Sequence, residues 1–319
     1  ATADSLGGLV VGRALIGFGV SACLMAAFKA FVIWFSKEQL PLINGLQMAA
    51  GGMGALTATA PVEAALTMTD WRGIFTVLTG LTLLVAGIVY FVVPKRAPYG
   101  VVSDFADPIS GIKGVFSSLI FWRIAPWTTL SQATFLAIQG LWSGPWLSDV
   151  ARLDRTHTAN TLLLVATAMV AGFILLGAAA ERLSRRGIPT QTVASLGMLS
   201  FMLMLLLIIL EVKAWVVPLW ILFGFFGTSG ILPYAVLSQS FPAQLSARVN
   251  TALNVLVFVA AFSAQWGIGA VIEHWPMTSG GGYAPAGYRA AFALMLILQI
   301  LCAIWYALSG WFMRTRGRA

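Results

Sequence analysis

Residues 6–35 form an apolar run that is long enough to cross a lipid bilayer as one helix, for which about twenty apolar residues suffice. The run contains no proline and no acidic residue, and its only charged side chains are Arg13 and Lys29. A guanidinium at that depth costs about 3 kcal/mol unless water or a partner meets it, so Arg13 is a candidate functional residue. A simpler interpretation is that Arg13, about two turns from Ser5, extends to the nearer membrane surface.

The composition of the whole chain places it in the membrane class. Of its residues, 59% are hydrophobic and 9% are charged, whereas soluble domains carry about 25% charged residues. One soluble core cannot bury so much apolar surface, so lipid must surround the protein. The net charge of +8 does not indicate nucleic-acid binding, because the basic residues are spread between the apolar runs. Cys23 and Cys302 lie among apolar neighbours and predict neither a disulfide nor a metal site.

Apolar runs of this kind recur throughout the chain and predict an all-α membrane protein with nine transmembrane helices. The spans after the first are residues 41–68, 73–93, 119–147, 158–180, 188–210, 214–241, 245–272 and 288–311. Residues 94–118 are the one long stretch that is not apolar, and their prolines and glycines predict an irregular loop.

The distribution of basic residues between the spans predicts the orientation of the chain. One set of alternate loops carries Lys37, Lys95, Arg96, Lys113, Arg182, Arg185, Arg186, Arg248, Arg314, Arg316 and Arg318, and the other set carries Arg72, Arg152, Arg155, Lys213 and Arg289. Because basic residues concentrate on the cytoplasmic side, we expect a cytoplasmic C-terminus and an external Ala1. The chain also begins without a Met, and we expect further spans before Ala1.

Two motifs in this arrangement resemble a known family. The first span reads Gly12-Arg13-Ala-Leu-Ile-Gly17-Phe-Gly19, and the segment after the fifth span runs from Gly177 through Glu181, Arg182, Arg185 and Arg186 to Gly187. They resemble the fourth helix and the loop between helices eight and nine of the major facilitator superfamily. In the loop, Glu181 replaces the family's Asp and Ser184 replaces a Gly.

The resemblance implies a major-facilitator-type helical bundle whose nine helices correspond to helices 4–12 of twelve. Residues 1–93 would then be the remainder of the N-terminal half, with three spans. Residues 94–118 would be the cytoplasmic loop between the halves, and residues 119–319 the C-terminal half of six helices. Charges at a helix end can pair with a neighbouring helix end in one state and release it in another, so Gly177, Glu181, Arg182, Arg185 and Arg186 are expected to form a conformational switch. A plain topological anchor is the alternative.

The second span departs from the family's drug–proton antiporters. Gly45 and Gly54 have suitable spacing, but Ala58 and Thr59 stand where that subgroup has Gly-Pro. This difference argues against a drug antiporter. The four glycines of the span remain suited to close helix packing; they are Gly45, Gly51, Gly52 and Gly54.

Uncharged polar residues recur at helical spacing in several spans and suggest a wet central cavity. Asn44 and Gln47 lie in the second span, Gln132 and Gln139 in the fourth, Ser229 and Tyr234 beside Pro233 in the seventh, and Asn250, Asn254 and Gln265 in the eighth. Hydrogen bonds between helices would explain each stripe alone. Together with Arg13, the side-chain amides of these residues and the indoles of Trp142 and Trp146 in the fourth span suit a small anion, or a polar solute with a carboxylate or a phosphate.

Enzyme chemistry finds little support in the sequence. His157 and His274 are the only histidines, and both lie in predicted external loops. No phosphate-binding Gly-Lys loop and no metal-ligand spacing is present, so we expect no cofactor and no metal site. Glu63 is the one acid well inside a span and lies near its outer end, so a proton-coupling carboxylate is hard to assign.

The sequence therefore predicts a secondary active transporter for a small polar or anionic organic solute, which works by alternating access. It is similar to bacterial permeases of the sugar-phosphate and organic-anion kind. The candidate substrate-binding residues are Arg13, Gln132, Gln139, Tyr234, Asn250 and Asn254. We expect a monomer in the bacterial inner membrane, with a proton as one candidate coupling ion. A membrane sensor of the same fold that carries no flux is the main alternative, and a channel is the third.

Overall fold

The computed structural model describes residues 4–21, 23–57, 62, 65–93, 108–242, 245–278 and 281–316, and every regular element within these ranges is helical. The helices before residue 100, here called the N-terminal helices, are α1 (Leu6–Ser21), α2 (Cys23–Trp34), α3 (Leu40–Thr57) and α4 (Trp71–Val92). A short helix, α5 (Pro108–Phe116), follows.

The remaining elements, here called the C-terminal helices, form a densely packed bundle. They are α6 (Leu119–Ala137), a π-helical segment (Ile138–Trp142), α7 (Ser143–Asp149), α8 (Arg155–Ser184), α9 (Thr190–Ile209), a 3₁₀ segment (Lys213–Trp215), α10 (Val216–Gly227), a second 3₁₀ segment (Thr228–Ile231), α11 (Leu232–Ser240), α12 (Ser246–Ile272) and α13 (Pro285–Arg316).

The predicted all-α membrane fold is confirmed. Seven of the described helical runs are long and apolar enough to cross a membrane. The other two predicted spans correspond to α3, which has 18 residues, and to α6 and α7, which the π-helical segment joins. One expectation is wrong: residues 94–118 are not irregular throughout, because α5 occupies Pro108–Phe116. Its prolines and glycines concealed a nine-residue amphipathic helix.

Burial differs sharply between the two groups of helices. No residue of α1 or α4 is buried by the described part of the chain. The C-terminal helices instead enclose an aromatic core in which the ring centroids of Phe201 and Phe223 lie 4.9 Å apart, and those of Trp220 and Phe223 lie 5.2 Å apart. Phe135 packs onto both phenylalanines. The C-terminal helices therefore hold most of the buried apolar surface that the structure describes.

A glycine-lined contact joins α3 to α8. A Cβ atom on Gly45 would collide with the carbonyl oxygen of Phe173, and one on Gly177 would lie 2.9 Å from the carbonyl oxygen of Pro41. Only residues without a side chain let the two backbones approach so closely. We call this contact the glycine seam, and its residues are Pro41, Gly45, Gly52, Val170, Phe173 and Gly177.

The packing role expected for the four glycines of α3 holds for two of them. Gly45 and Gly52 face α8, where a Cβ on Gly52 would lie 2.9 Å from the side chain of Val170. At Gly51 and Gly54 a Cβ would meet no described atom within 4 Å. The expectation is therefore wrong for these two positions in the part of the chain that the structure describes.

Contacts among the described residues mark two ends of the bundle. At one end, here called the Lys37 end, the Gln239 amide donates to the carbonyl of Lys37, with 2.9 Å between nitrogen and oxygen. At the other, here called the Asp149 end, the Tyr288 hydroxyl donates to Asp149 at 2.7 Å. The Asp4–Arg72 ion pair at 2.9 Å joins the starts of α1 and α4. That the Lys37 end is cytoplasmic stays a prediction from charge.

Candidate functional site

A broken helix lies at the centre of the C-terminal helices. The 3₁₀ segment Thr228–Ile231 separates α10 from α11, and Pro233 follows at the start of α11, where its missing N–H costs nothing. Gly230 packs against the side chain of Gln132 from α6, so a Cβ there would lie 2.8 Å from two Gln132 atoms. Gln132 therefore lies beside the break.

Three of the predicted substrate-binding residues meet just beyond the break. The Tyr234 hydroxyl donates to the Asn254 side-chain oxygen at 3.2 Å. The Asn250 amide donates to the Ser238 hydroxyl at 2.8 Å, and that hydroxyl donates to the Tyr234 carbonyl at 2.8 Å. The Asn250 side-chain oxygen is buried and has no partner among the described atoms. We call these four residues, Tyr234, Ser238, Asn250 and Asn254, the polar cluster.

An aromatic side chain from the N-terminal helices covers the polar cluster. Phe28 of α2 is 1% exposed, and its ring centroid lies 5.6 Å from that of Tyr234, edge to face. Gln239 at the end of α11 is also bonded to the carbonyl of Lys37. We call Phe28, Lys37, Tyr234 and Gln239 the Phe28 contact. It joins the two groups of helices near the Lys37 end, where a cavity of about 310 Å³ lies between Lys37, Gln239 and Ser238. Sequence reasoning missed Phe28, because an aromatic residue in an apolar run carries no distinguishing signal.

Gln139 lies toward the Asp149 end, in the π-helical segment. Such segments are often found at functional sites. The Trp142 indole donates to the carbonyl of Gln265 on α12 at 3.1 Å, and Gly140 lies beside the Gln265 amide. Gln265 is eleven residues beyond Asn254, or about 16 Å along the helix. The half-buried Gln139 is therefore not part of the polar cluster.

Arg13 is exposed and lies apart from the other candidates. It borders a groove of about 440 Å³ between α1 and α4, whose apolar wall includes Trp71 and Phe75. No hydrogen bond or ion pair of Arg13 occurs within the described ranges. At the start of α4, beside this groove, the Arg72 guanidinium lies 4.3 Å from the Trp71 ring centroid and pairs with Asp4. The structure does not bring Arg13 together with the polar cluster.

The predicted switch residues gather at the Lys37 end, next to the glycine seam. Arg185 donates to the Glu181 carboxylate at 2.8 and 3.2 Å. The Glu38 carboxyl accepts hydrogen bonds from its own backbone and from Ser36, and the Arg185 charge adds a smaller effect. Together they hold the pKa of this carboxyl below its ordinary value. Arg185 therefore pairs with Glu181 on its own helix, and its charge has a smaller electrostatic effect on Glu38 across the seam.

The other members of that segment differ in their surroundings. Arg182 and Arg186 are exposed. Gly177 is the seam residue that touches Pro41. Gly187, just past the end of α8, has a φ of +84°, which glycine adopts without strain and which ends the helix in a tight turn.

One charged residue inside a span escaped the sequence analysis. Arg123 is the fifth residue of α6, and its guanidinium carbon lies 4.8 Å from the centroid of the Tyr306 ring. Its position within the apolar run of residues 119–147 was the signal that could have found it.

Comparison with known proteins places the chain in a family. No curated protein matches it. It is similar to a solved structure of a bacterial homologue of the iron transporter ferroportin in an outward-facing state, with a TM-score of 0.62 and 15% sequence identity. The match covers 87% of this chain and 65% of that one, and at this identity the likeness concerns the fold alone. Residues 1–264 match the model of the Major Facilitator Superfamily. The chain belongs to the Major Facilitator Superfamily, as its two motifs predicted.

Proposed function

We propose that the protein is a secondary active transporter that moves a small polar or anionic organic solute by alternating access. Residues 1–93 and 119–319 are its two moving halves, and residues 94–118 connect them. We further propose a monomer in the bacterial inner membrane with a cytoplasmic C-terminus. Membership of the Major Facilitator Superfamily supports the general mechanism.

The Phe28 contact is the observation that carries this proposal. Alternating access requires one end of the central space to be sealed while the other is open. Phe28 comes from the proposed N-terminal half and Tyr234 from the proposed C-terminal half, and their rings meet at 5.6 Å. In our proposal this contact is the closed gate on the cytoplasmic side. The similar structure was solved in an outward-facing state, which agrees with such a closure.

The polar cluster lies directly behind this gate. Its amides and hydroxyls offer both donors and acceptors, and the buried Asn250 oxygen has unused acceptor capacity. A solute that carries hydroxyl or ammonium groups would satisfy that oxygen. We propose that Tyr234, Asn250 and Asn254 bind the polar part of the solute, while Gln132 and Gln139 line its route through the C-terminal half.

Arg13 has a separate part in this scheme. It lies on α1, nearer to the Asp149 end than to the Phe28 contact, and it has no acidic partner in the described ranges. An anion that enters from the Asp149 end would meet this guanidinium before it reaches the polar cluster. We propose that Arg13 recognises a carboxylate or phosphate of the solute.

The segment from Gly177 to Arg186 links this chemistry to movement. Arg185 pairs with Glu181 in its own half and acts on Glu38 of the other half. Rotation of the halves would separate Arg185 from Glu38 and leave the Glu181 pair intact. A proton is a candidate for the coupling ion, although Glu63 lies outside the described residues. The similar structure is that of a homologue of an iron transporter. The polar cluster here offers amides and hydroxyls, which suit a polar organic solute.

Uptake into proteoliposomes tests the proposal. We expect saturable uptake and counterflow of at least one organic anion from a solute panel. Arg13→Ala should lower uptake at least tenfold, because the neutral side chain no longer attracts the anion, while Lys29→Ala on the next helix should retain it. Normal uptake by Arg13→Ala would refute the role of Arg13. Saturable binding without any flux would instead support the sensor interpretation.

A further inference from the structure

A second cationic pocket lies away from the proposed transport route, between α6 and α13 at the Lys37 end. Arg123 is half-buried there, with its guanidinium carbon 4.8 Å from the Tyr306 ring centroid. Its Nε atom is buried and has no hydrogen-bond partner, and no carboxylate pairs with Arg123 in the described ranges. Gly310 on α13 makes room for the guanidinium, because a Cβ there would collide with it.

Aromatic side chains surround this pocket at the depth where a membrane surface is expected. The Trp305 indole donates to the carbonyl of Trp122 at 2.7 Å, and the Trp122 indole donates to the carbonyl of Phe116 at 2.7 Å. Trp122 is 39% exposed and Trp305 is 51% exposed. Tryptophan concentrates at the boundary between headgroups and acyl chains, because its ring is apolar and its N–H is polar.

The neighbouring helix α5 has the composition of a segment that lies in the membrane surface. Ile112 and Phe116 are exposed, whereas Val115 is fully buried against the bundle. Lys113 lies in its last turn, and the Arg248 side chain packs against Gly111. Three cations, those of Lys113, Arg123 and Arg248, are therefore held by α5, α6 and α12 at the same end of the bundle.

We propose that Arg123, flanked by Trp122, Trp305 and Tyr306, binds the phosphate of an anionic phospholipid headgroup. A half-buried guanidinium without an acid requires an anion, and its planar fork suits two phosphate oxygens. Basic pockets between spans bind anionic headgroups in this way, and the exposed indoles beside Arg123 suit the acyl-chain boundary. The site does not depend on the proposed transport activity, since it faces α13 rather than the polar cluster.

Native mass spectrometry of the protein released from nanodiscs tests this site. In discs of phosphatidylglycerol and phosphatidylcholine, wild-type protein should retain a phosphatidylglycerol adduct. Arg123→Gln should retain it about tenfold less, because one charge-assisted bond pair is lost. Arg155→Gln, which removes an exposed cation at the Asp149 end, should behave as wild type. Equal retention by Arg123→Gln and wild type would overturn the proposal.

Two further arms keep the result interpretable. Soluble glycerol phosphate in excess should not displace the adduct, and displacement would show a free-phosphate site in place of a lipid site. If Arg123→Gln does not fold, as judged by size exclusion and circular dichroism in neutral detergent, Arg123→Lys replaces it. The ammonium keeps the charge but cannot offer two parallel N–H groups to one phosphate, so the adduct should again be reduced, and an unchanged adduct would overturn the proposal.

Discussion

Two of the described contacts between the N-terminal and the C-terminal helices are built from different chemistry. The glycine seam sets backbone against backbone, with Gly45 under the Phe173 carbonyl and Gly177 under that of Pro41. The Phe28 contact sets rings against each other and adds one amide bond to the carbonyl of Lys37. Side chains can separate and solvate, whereas a close backbone contact has no rotamers to adjust. We infer that the seam is the pivot of the molecule and the Phe28 contact its gate.

Filling the seam should have the largest effect. In Gly45→Ala the new Cβ collides with the Phe173 carbonyl oxygen. Because this oxygen belongs to the backbone and cannot move aside easily, we expect destabilisation by more than about 3 kcal/mol, above the usual range for overpacking. Gly54→Ala adds the same atom to the same helix in open space and should be neutral or stabilising by up to about 1 kcal/mol. Thermal unfolding in detergent measures both. If both variants were equally stable, the close approach of the two backbones at the seam would not be a rigid contact, and the seam could not be the pivot.

Opening the gate should have the second largest effect. Phe28→Ala deletes a ring that is 1% exposed and should weaken the closed state by about 3 kcal/mol. In a background without Cys23 and Cys302, a cysteine placed at Asn254, which is bonded to the Tyr234 hydroxyl behind the gate, should then react faster with a membrane-impermeant thiol reagent added on the cytoplasmic side. Phe262→Ala, which removes a ring that is 75% exposed, should leave the labelling rate unchanged. If Phe28→Ala does not accelerate labelling, Phe28 does not close this end.

The charges beside the seam should have the smallest effect. Arg185→Gln removes the Glu181 pair, in which the Arg185 side chain is 57% exposed and the Glu181 side chain 15% exposed. Because solvent reaches the Arg185 charge, the pair is worth about 1 kcal/mol, and a change of a few fold in uptake rate is expected. Arg186→Gln is the matched control, because Arg186 is exposed and no ion pair of it occurs in the described ranges. A loss of uptake equal in both variants would indicate a topological anchor rather than a switch.

The same charges predict a pH dependence. The pKa of Glu38 is held below its ordinary value, so its charge favours this arrangement at neutral pH and above. That contribution is lost as the pH falls through the depressed pKa. We therefore expect the difference in thermal unfolding between wild type and Glu38→Gln, measured in detergent, to stay constant down to the ordinary glutamate pKa and to disappear below it. A difference that persists below the depressed pKa would contradict this role of the Glu38 charge.

Much of the fold could be predicted from the sequence, because lipid solvation forces long apolar runs to become helices. The broken helix at Thr228–Ile231 was also readable from its glycines and Pro233. The short helix Pro108–Phe116 was not, since glycine and proline normally mark loops.

The site was predictable only in part. The two amides that share one stripe of α12, those of Asn250 and Asn254, lie beside Ser238 and Tyr234 in the structure. Spacing along one helix does not say which other helix lies opposite, however. That is why Phe28 was missed and why Arg13 was grouped with residues that it does not contact in the structure.

Cross-linking each contact in turn tests the central claim most directly. In a background without Cys23 and Cys302, one pair, Lys37→Cys with Gln239→Cys, lies across the gate, where the Gln239 side chain reaches the Lys37 carbonyl. The other, Gly52→Cys with Val170→Cys, lies across the seam. A bifunctional reagent that forms a disulfide with each thiol links either pair, and uptake into proteoliposomes is measured before linking, after linking and after reduction. The gate link should abolish uptake until it is reduced, and the seam link should leave uptake near its starting rate. Undiminished uptake through the gate-linked protein would contradict the account.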